Sequence, residues 1–161
     1  MSRLKLYFID EQYINYLRKF DDRVAYNKNA TRPYVGIVYK YNNYTYFAPL
    51  SSPKEKHKKM SNRMEDIWKI KSGELGIINF NNMIPCIESV LKEAIPCIND
   101  NNYKILLENQ ISSINSEREM LLIKINRFQN HYRKKLLSNN ILERCCNFTV
   151  LEQKCNEYIQ N

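Results

Sequence analysis

Two strand-forming runs around a pair of asparagines constrain the fold of this chain most strongly. Residues 34–41 read YVGIVYKY and residues 44–47 read YTYF, with only Asn42 and Asn43 between them. Aromatic and β-branched residues favour strands, and asparagine tolerates the positive φ of a tight hairpin turn. The sequence therefore predicts a β-hairpin and, with it, an antiparallel sheet.

The second strand of this hairpin leads into a segment that presents two hydroxyl groups. We expect Ala48-Pro49-Leu50 to break the strand, because proline cannot donate a hydrogen bond to a sheet ladder. Ser51 and Ser52 follow, before a basic run opposed only by Glu55: Lys54, Lys56, His57, Lys58, Lys59 and Arg63. Hydroxyls beside clustered cations are typical of a phosphate site, although a solvated turn with an exposed lysine face has the same pattern.

The net charge of the chain favours a polyanionic partner. At pH 7 the formal charge is +8 over 161 residues, which creates a positive field and makes nucleic acid the leading class of partner. No stretch reaches the roughly 18 apolar residues of a membrane helix, and charges interrupt residues 1–20 where a signal peptide would be apolar. We therefore expect a cytoplasmic protein with no membrane partner.

Cysteine and histidine residues do not form a metal-binding pattern in the sequence. The two histidines, His57 and His131, are far apart, and the cysteines lack CxxC spacing. Their odd number argues against a complete disulfide framework, so we expect reduced packing residues at Cys86, Cys97, Cys145, Cys146 and Cys155. We expect no metal and no cofactor.

The N-terminal part predicts a strand, a helix and a long loop in that order. Residues 4–9 (LKLYFI) form a short apolar run, and Asp10 is placed to cap a helix whose apolar residues recur at helical spacing up to Phe20. The polar residues 21–33, rich in asparagine, form a loop longer than an ordinary connection. Long loops in compact domains often carry function.

The remaining elements give the fold class. Residues 67–71 and 75–80 predict a second hairpin, and residues 83–87 predict an edge strand. Helical spacing then covers residues 101–137, as one long helix or two stacked ones with a mainly buried apolar face, and a last short helix begins after Asn147 or Thr149. We predict one α+β domain over residues 1–161, with about six strands in a small curved antiparallel sheet or partly open barrel and a helical C-terminal half.

Four strings follow one another over nearly the whole chain: YLRKFDDRV, RPYVGIVYKYNNYTYFAPLSSPKEKH, LGIINFNNMIP and CNFTVLEQK. Together and in this order they resemble the ToxN/AbiQ family, the toxin endoribonucleases of type III toxin–antitoxin systems. The resemblance implies a barrel-like sheet similar to that of the MazF and Kid toxins. It also implies a role in phage defence through metal-independent cleavage of cellular or phage RNA to 2′,3′-cyclic phosphate ends. The implied inhibitor is a small repeated antitoxin RNA, folded as a pseudoknot, in a closed ring of alternating protein and RNA.

The resemblance also implies the site residues. In the family the hydroxyl pair of the PLSSPK string and its lysine line the active site, which places these roles on Ser51, Ser52 and Lys54. A tyrosine and a basic residue of the preceding loop join them, for which Tyr26 and Arg32 are the candidates. Arginine in place of lysine puts a role as proton donor in doubt, because arginine stays charged.

Some roles remain open at this stage. His57 fits either a general base or a solvated RNA contact, and the cations predicted to contact RNA are Lys28, Lys56, Lys58, Lys59, Arg63, Arg133 and Lys134. The tyrosines of the hairpin fit sheet packing better than base stacking. A non-catalytic RNA-binding module, or a toxin of the same fold that acts on DNA, would use the same basic surface.

Overall fold

Seven strands form one antiparallel sheet in the computed structural model, which describes residues 3–160 of the predicted 1–161 domain. The strands are β1 (Lys5–Ile9), β2 (Tyr34–Tyr41), β3 (Tyr44–Ser51), β4 (Ile67–Lys69), β5 (Ile77–Asn79), β6 (Ile84–Cys86) and β7 (Leu91–Glu93). Their order is β4-β5-β3-β2-β1-β7, and β6 pairs with β3 outside this path. The predicted antiparallel sheet is confirmed as an open sheet, with a short seventh strand that the sequence did not indicate.

The predicted hairpin between β2 and β3 is confirmed. Tyr41 pairs with Tyr44 across the turn, and Asn42 adopts a positive φ of 53°, as a tight turn requires. Tyr34 and Tyr46 are fully buried, and Tyr39 is nearly so. These tyrosines therefore pack in the sheet, as the sequence favoured.

Strand β3 does not end before the serines, so the predicted break at Ala48-Pro49-Leu50 is wrong. Pro49 pairs with Tyr34, and the strand continues to Ser51. The N–H of Leu50 points toward β2, where it bonds the carbonyl of Pro33 at 3.0 Å, so the nitrogen of Pro49 faces the opposite side. On that side, pairing with β6 ends at Phe47 and pairing with β5 begins at Leu50, so no ladder bond is lost.

Among residues 3–160, six α-helices accompany the sheet, mainly in the C-terminal half. They are α1 (Glu11–Arg18), α2 (Glu55–Lys59), α3 (Asn101–Ser116), α4 (Arg118–Arg133), α5 (Asn139–Arg144) and α6 (Phe148–Gln160). The helical stretch from residue 101 is thus two helices divided at Glu117, and α5 was not predicted. Asn147 caps α6 by accepting a bond from Val150 N–H, whereas Asp10 at the start of α1 makes no side-chain capping bond.

One hydrophobic core joins the sheet to the helical half and confirms the α+β class. The ring of Phe148 in α6 contacts Tyr46 of β3 and Phe128 of α4 at centroid distances of 5.8 and 6.3 Å.

The free thiols of Cys86, Cys145, Cys146 and Cys155 pack inside this structure, whereas Cys97 is exposed. Two residues of the expected apolar helix face are exposed instead, Met120 at 65% and Ile123 at 56%.

Between residues 3 and 160, every helix is too short or too polar to cross a lipid bilayer.

Candidate active site at the end of strand β3

Ser51 and Ser52 lie where the central strand leaves the sheet. Ser51 is the last residue of β3 and pairs with Ile77, and its Oγ accepts a hydrogen bond of 2.9 Å from Asn79 Nδ2. Ser51 is half-buried and Ser52 is exposed. The sheet therefore fixes one hydroxyl in place and presents the next one to solvent.

A glycine in the neighbouring strand segment allows this arrangement. Gly76 has a φ of +98°, and a Cβ at this position would lie 2.2 Å from the carbonyl oxygen of Ser51. Only glycine fits both the conformation and the close approach without strain. Gly76 therefore lets the chain before β5 pass directly beside the backbone of Ser51.

Arg32 brings the loop before β2 to the same place. Its Nε donates to the carbonyl oxygen of Tyr26 at 2.7 Å, and its Nη1 donates to that of Leu50 at 3.2 Å. Leu50 immediately precedes Ser51. The structure therefore links Arg32 to the backbone of Tyr26 and to that of the residue before Ser51, segments that the sequence placed in one site only through the family resemblance.

The loop owes its shape to three side chains that the sequence analysis did not single out. The guanidinium of Arg18 lies 3.8 Å from the ring centroid of Tyr26 and also donates to the carbonyl of Val24. Buried Asn27 donates to Ile9 O at 2.7 Å, and Glu11 accepts from Ala30 N–H at 2.6 Å.

The backbone of this loop is left-handed over three successive residues, Lys28, Asn29 and Ala30, with φ between 51° and 63°. Asparagine enters this region readily, whereas lysine and alanine do so at an energetic cost. The asparagine-rich composition was the only sequence signal for such a turn. The bonds to Asn27 and Glu11 hold the backbone in this conformation.

Lys54 and His57 hold the segment after the serines. The backbone N–H of Lys54 donates to His57 Nδ1 at 3.2 Å, and His57 N–H donates to Lys54 O at 3.0 Å. The side chain of Lys54 is exposed, but His57 is only 1% exposed. Burial lowers the pKa of His57, and the charges of Lys56 and Lys54 lower it further.

His57 is therefore a buried, neutral imidazole whose Nδ1 accepts a hydrogen bond. Its burial contradicts the reading as a solvated RNA contact. Because its Nδ1 is already occupied by the Lys54 backbone, His57 fits the positioning of that segment better than proton transfer from RNA.

Most cations predicted to contact RNA are exposed. Lys28 belongs to the loop that carries Tyr26, and Lys58 forms an ion pair of 3.2 Å with exposed Glu55. The exposed members are Lys28, Lys56, Lys58, Lys59, Arg63 and Lys134.

Arg133 is the exception, and the structure does not support it as a phosphate contact. It forms an ion pair of 2.8 Å with Glu152 and lies 3.9 Å above the ring of Tyr41, with 17% of its side chain exposed. The last turn of α4 packs between α6 and the hairpin, so this arginine serves the core.

The site combines hydroxyls, an ammonium, a guanidinium and a phenol. Such groups can bind a phosphate, orient its oxygens and stabilise negative charge that develops on them. Within residues 3–160, no group of three or more His, Cys, Asp or Glu side chains is arranged to hold a metal ion.

Comparison with known proteins identifies relatives over almost the full chain. The family described as Toxin ToxN, type III toxin-antitoxin system, matches residues 5–156. Endoribonuclease ToxN of Bacillus thuringiensis subsp. kurstaki is 31% identical over 96% of this chain and 84% of its own length. Endoribonuclease AbiQ of Lactococcus lactis subsp. lactis is 31% identical over 96% and 89%, and Endoribonuclease ToxN of Pectobacterium atrosepticum is 28% identical over 96% and 94%.

Solved structures agree with this result. A structure of AbiQ, described as a lactococcal anti-phage endoribonuclease of the type III systems, superposes with a TM-score of 0.84 at 29% identity and covers 99% of this chain and all of its own. A structure that describes selective toxin inhibition by a non-coding RNA pseudoknot superposes with a TM-score of 0.81 at 28% identity, covering 99% and 100%. The fold and these matches together show that the chain belongs to the ToxN family of type III toxin–antitoxin toxins.

Proposed function

We propose that this protein is an endoribonuclease toxin, a single domain that acts in the cytoplasm, with its active site at the end of β3. The observation that carries the proposal is the bridge made by Arg32, which links the backbone of Tyr26 to that of Leu50 beside the serines. It ties the loop that carries Tyr26 to the residue before Ser51, 18 positions farther along the chain than Arg32. The three similar curated proteins are all named endoribonucleases.

The proposed reaction needs no metal, because the residues of the site can supply its requirements. The ribose 2′-OH attacks the adjacent phosphorus in line, the bond to the 5′ oxygen breaks, and the products carry a 2′,3′-cyclic phosphate and a 5′-OH. The protein must align the RNA backbone, take a proton from the 2′-OH and give one to the departing 5′ oxygen. It must also stabilise the negative charge that develops on the phosphoryl oxygens in the transition state.

We assign the roles by exposure and charge. Exposed Ser52 hydrogen-bonds the scissile phosphate or the 2′-OH, and Ser51, held by Asn79, supports it. Lys54 and Arg32 neutralise the phosphoryl charge. Tyr26, which is 72% exposed, orients a base or exchanges a proton with the RNA.

We further propose that an antitoxin RNA pseudoknot inhibits the enzyme by occupying this basic surface. Lys28 and the lysines of residues 54–63 flank the site from two segments. Cations spread over two segments can contact several phosphates at once, so they suit a folded RNA better than a small anion. In the proposed assembly, protein and repeated RNA units alternate in a closed ring. The substrate is cellular or phage RNA.

The chemistry of the cut ends tests the proposal. Purified protein is incubated with a long RNA in excess EDTA, and the ends are mapped by ligation before and after removal of cyclic phosphates. We expect defined cuts with 2′,3′-cyclic phosphate and 5′-OH ends. Loss of cleavage in EDTA with recovery in magnesium would contradict the metal-independent mechanism, and RNA binding without cleavage under all conditions would favour the non-catalytic alternative.

A further inference from the structure

A polar cavity that is separate from the candidate active site lies beyond the C-terminal end of α2. It measures about 370 Å³, near the lower end of the range for small-molecule sites, and opens between the segment after α2, strand β4 and helix α4. We call it the Trp68 pocket. The side chains that matter for its chemistry are Trp68, Lys69, Lys124, Arg127, Ser61 and Ser72.

The Trp68 pocket is joined directly to the segment that carries the active-site cations. Lys69 Nζ donates to the carbonyl oxygens of Lys58 and Met60 at 3.0 and 2.9 Å, so one wall of the pocket holds the end of α2. The turn at residues 70–73 packs against the same helix, because a Cβ on Gly73 would lie 2.6 Å from His57 O. An RNA strand bound along residues 54–59 would therefore reach the pocket next.

Three cations line the pocket without a carboxylate partner among residues 3–160. Lys69, Lys124 and Arg127 form no ion pair there, and exposed Glu117 is the one acidic residue in the lining. Lys124 is half-buried, with its Nζ 2.7 Å from Ile67 O, and burial lowers its pKa. The carboxylates of Asp66 and Glu65 act on Lys124 through space without forming an ion pair with it. Three cations that line one pocket favour an anion such as a phosphate.

The pocket also offers part of an aromatic ring and two serine hydroxyls. Trp68 is half-buried, and its Nε1 is inaccessible to solvent and has no hydrogen-bond partner in residues 3–160. Ser61 and Ser72 lie on the rim. Ser72 and the preceding Lys71 have positive φ values of 55° and 49°, a costly conformation that is concentrated at ligand-binding sites.

We propose that the Trp68 pocket binds one nucleotide of the single-stranded substrate RNA. Its phosphate contacts Lys69, Lys124 and Arg127, and its base stacks against Trp68. The pocket thereby sets the register in which the RNA reaches Ser51 and Ser52. This inference rests on the proposed RNA-cleaving function and extends it to a specificity-determining subsite.

The single tryptophan of the chain makes the pocket directly measurable. Trp68 fluorescence is followed while wild-type protein is titrated with a 2′-fluoro RNA oligonucleotide, which cannot be cleaved by 2′-OH attack. A fluorescein label on the same RNA reports total binding through anisotropy. We expect a saturable change in Trp68 fluorescence whose midpoint coincides with that of the anisotropy curve.

Substitutions then separate the pocket from the active site. We expect Arg127→Gln to raise KM for cleavage about threefold to tenfold with kcat within about twofold, and to reduce the salt slope of RNA binding by about 0.7. Trp68→Phe should retain most of the affinity, and Trp68→Ala should lose about 5- to 100-fold, because stacking is lost. The matched control is Lys92→Met, an exposed lysine of β7 outside the pocket.

The possible results separate this inference from the proposed function. RNA cleavage with unchanged Trp68 fluorescence and wild-type KM in Arg127→Gln would overturn the pocket and leave the endoribonuclease intact. A pocket that responds to RNA in a protein that never cleaves would support RNA binding at Trp68 and overturn the catalytic proposal. Absence of any RNA binding would overturn both.

Discussion

Arg32 illustrates how one side chain can organise a site built from distant segments. Two of its five guanidinium N–H groups are used on the carbonyls of Tyr26 and Leu50, which leaves three for phosphate oxygens. Lysine has a compact ammonium on a flexible stem and cannot hold two carbonyls in the same fixed geometry. Arg32 therefore braces the loop, and we expect it to act also as a cation of the proposed site.

This dual role predicts a graded response to substitution. We expect Arg32→Ala to lower the cleavage rate about 30- to 1,000-fold, which corresponds to about 2 to 4 kcal/mol of barrier. Arg32→Lys should fall between Arg32→Ala and wild type, because the charge remains but the bridge is lost. Single-turnover rates with one RNA substrate measure this order, and wild-type activity in Arg32→Ala would remove Arg32 from the mechanism.

His57 predicts how stability depends on pH. Its lowered pKa means that the unfolded chain binds a proton more readily than the folded chain, so the imidazole contributes stability above its unfolded pKa of about 6.5. That contribution is lost as the pH falls through the lower folded value. The asparagine of a His57→Asn variant can still accept from Lys54 N–H but does not titrate.

We therefore expect the free energy of unfolding of wild type to fall more steeply than that of His57→Asn between about pH 7 and pH 5. Urea unfolding at a series of pH values measures this difference, and His131 is present in both proteins. Parallel curves would show that His57 does not titrate in this range in a way that is linked to folding.

At the scale of elements, the packing of the segment before β5 against the end of β3 controls the position of Ser51. Gly76→Ala places a methyl group against Ser51 O at a φ that alanine rarely adopts. We expect a loss of about 1 to 3 kcal/mol of stability together with a lower kcat, because Ser51 must shift. Urea unfolding and cleavage kinetics on the same preparation measure both effects.

The matched control is Ile114→Val, a buried position in α3, which should cost about 0.5 to 1.5 kcal/mol without affecting kcat in the folded protein. Full kcat in folded Gly76→Ala would show that the exact position of Ser51 does not matter for cleavage.

The elements also show which parts of the structure local sequence patterns could predict. The hairpin at Asn42, the opening strand and the C-terminal helices follow from side-chain periodicity and turn residues. The course of β3 through Pro49 could not be predicted in this way. Proline is tolerated there because one edge of β3 pairs with β6 only up to Phe47 and with β5 only from Leu50, which leaves Pro49 unpaired on that edge. Helix α5 is only six residues long, too short to show a clear helical period.

The candidate site divides in the same way. Ser51, Ser52 and Lys54 lie together in one string, so the sequence could indicate them. Asn79 bonds Ser51 across 28 residues, and no local pattern encodes such a contact. Arg133 lies in a basic run of the sequence, which is typical of an RNA contact. Its ion pair with Glu152 depends on how α4 packs against α6, and the sequence alone could not predict that packing.

At the scale of the whole molecule, residues 54–63 carry a net charge of +4, half of the +8 of the chain, where RNA is expected to bind. Lys56 and Lys59 are exposed and form no ion pair in the described chain, and Lys58 is paired only with exposed Glu55. Exposed pairs of this kind contribute little, so Lys58 remains available to a phosphate. Counterion release should therefore make RNA affinity strongly dependent on salt.

Charge reversal tests this surface. We expect the triple substitution of Lys56, Lys58 and Lys59 to glutamate to weaken RNA affinity and to flatten its salt dependence, because fewer counterions are released. Fluorescence anisotropy at several salt concentrations measures the slope. A triple reversal of exposed Lys19, Lys92 and Lys135 is the matched control, and an unchanged slope in the first variant would show that residues 56–59 are only a solvated face.

The central claim is that the exposed hydroxyl at the end of β3 acts in the cleavage of RNA. The most direct measurement is the single-turnover cleavage rate of Ser52→Ala in EDTA, beside its RNA affinity and its stability. Ser112→Ala, an exposed serine on α3, is the matched control. Removal of one exposed hydroxyl should change stability by about 0.5 kcal/mol or less, whereas a lost transition-state hydrogen bond costs about 2 to 4 kcal/mol of barrier.

We predict that Ser52→Ala is folded, binds RNA as wild type does, and cleaves it about 30- to 1,000-fold more slowly, while Ser112→Ala cleaves at the wild-type rate. Cleavage at the wild-type rate by folded Ser52→Ala would contradict the account, and the catalytic assignment would then move to Tyr26.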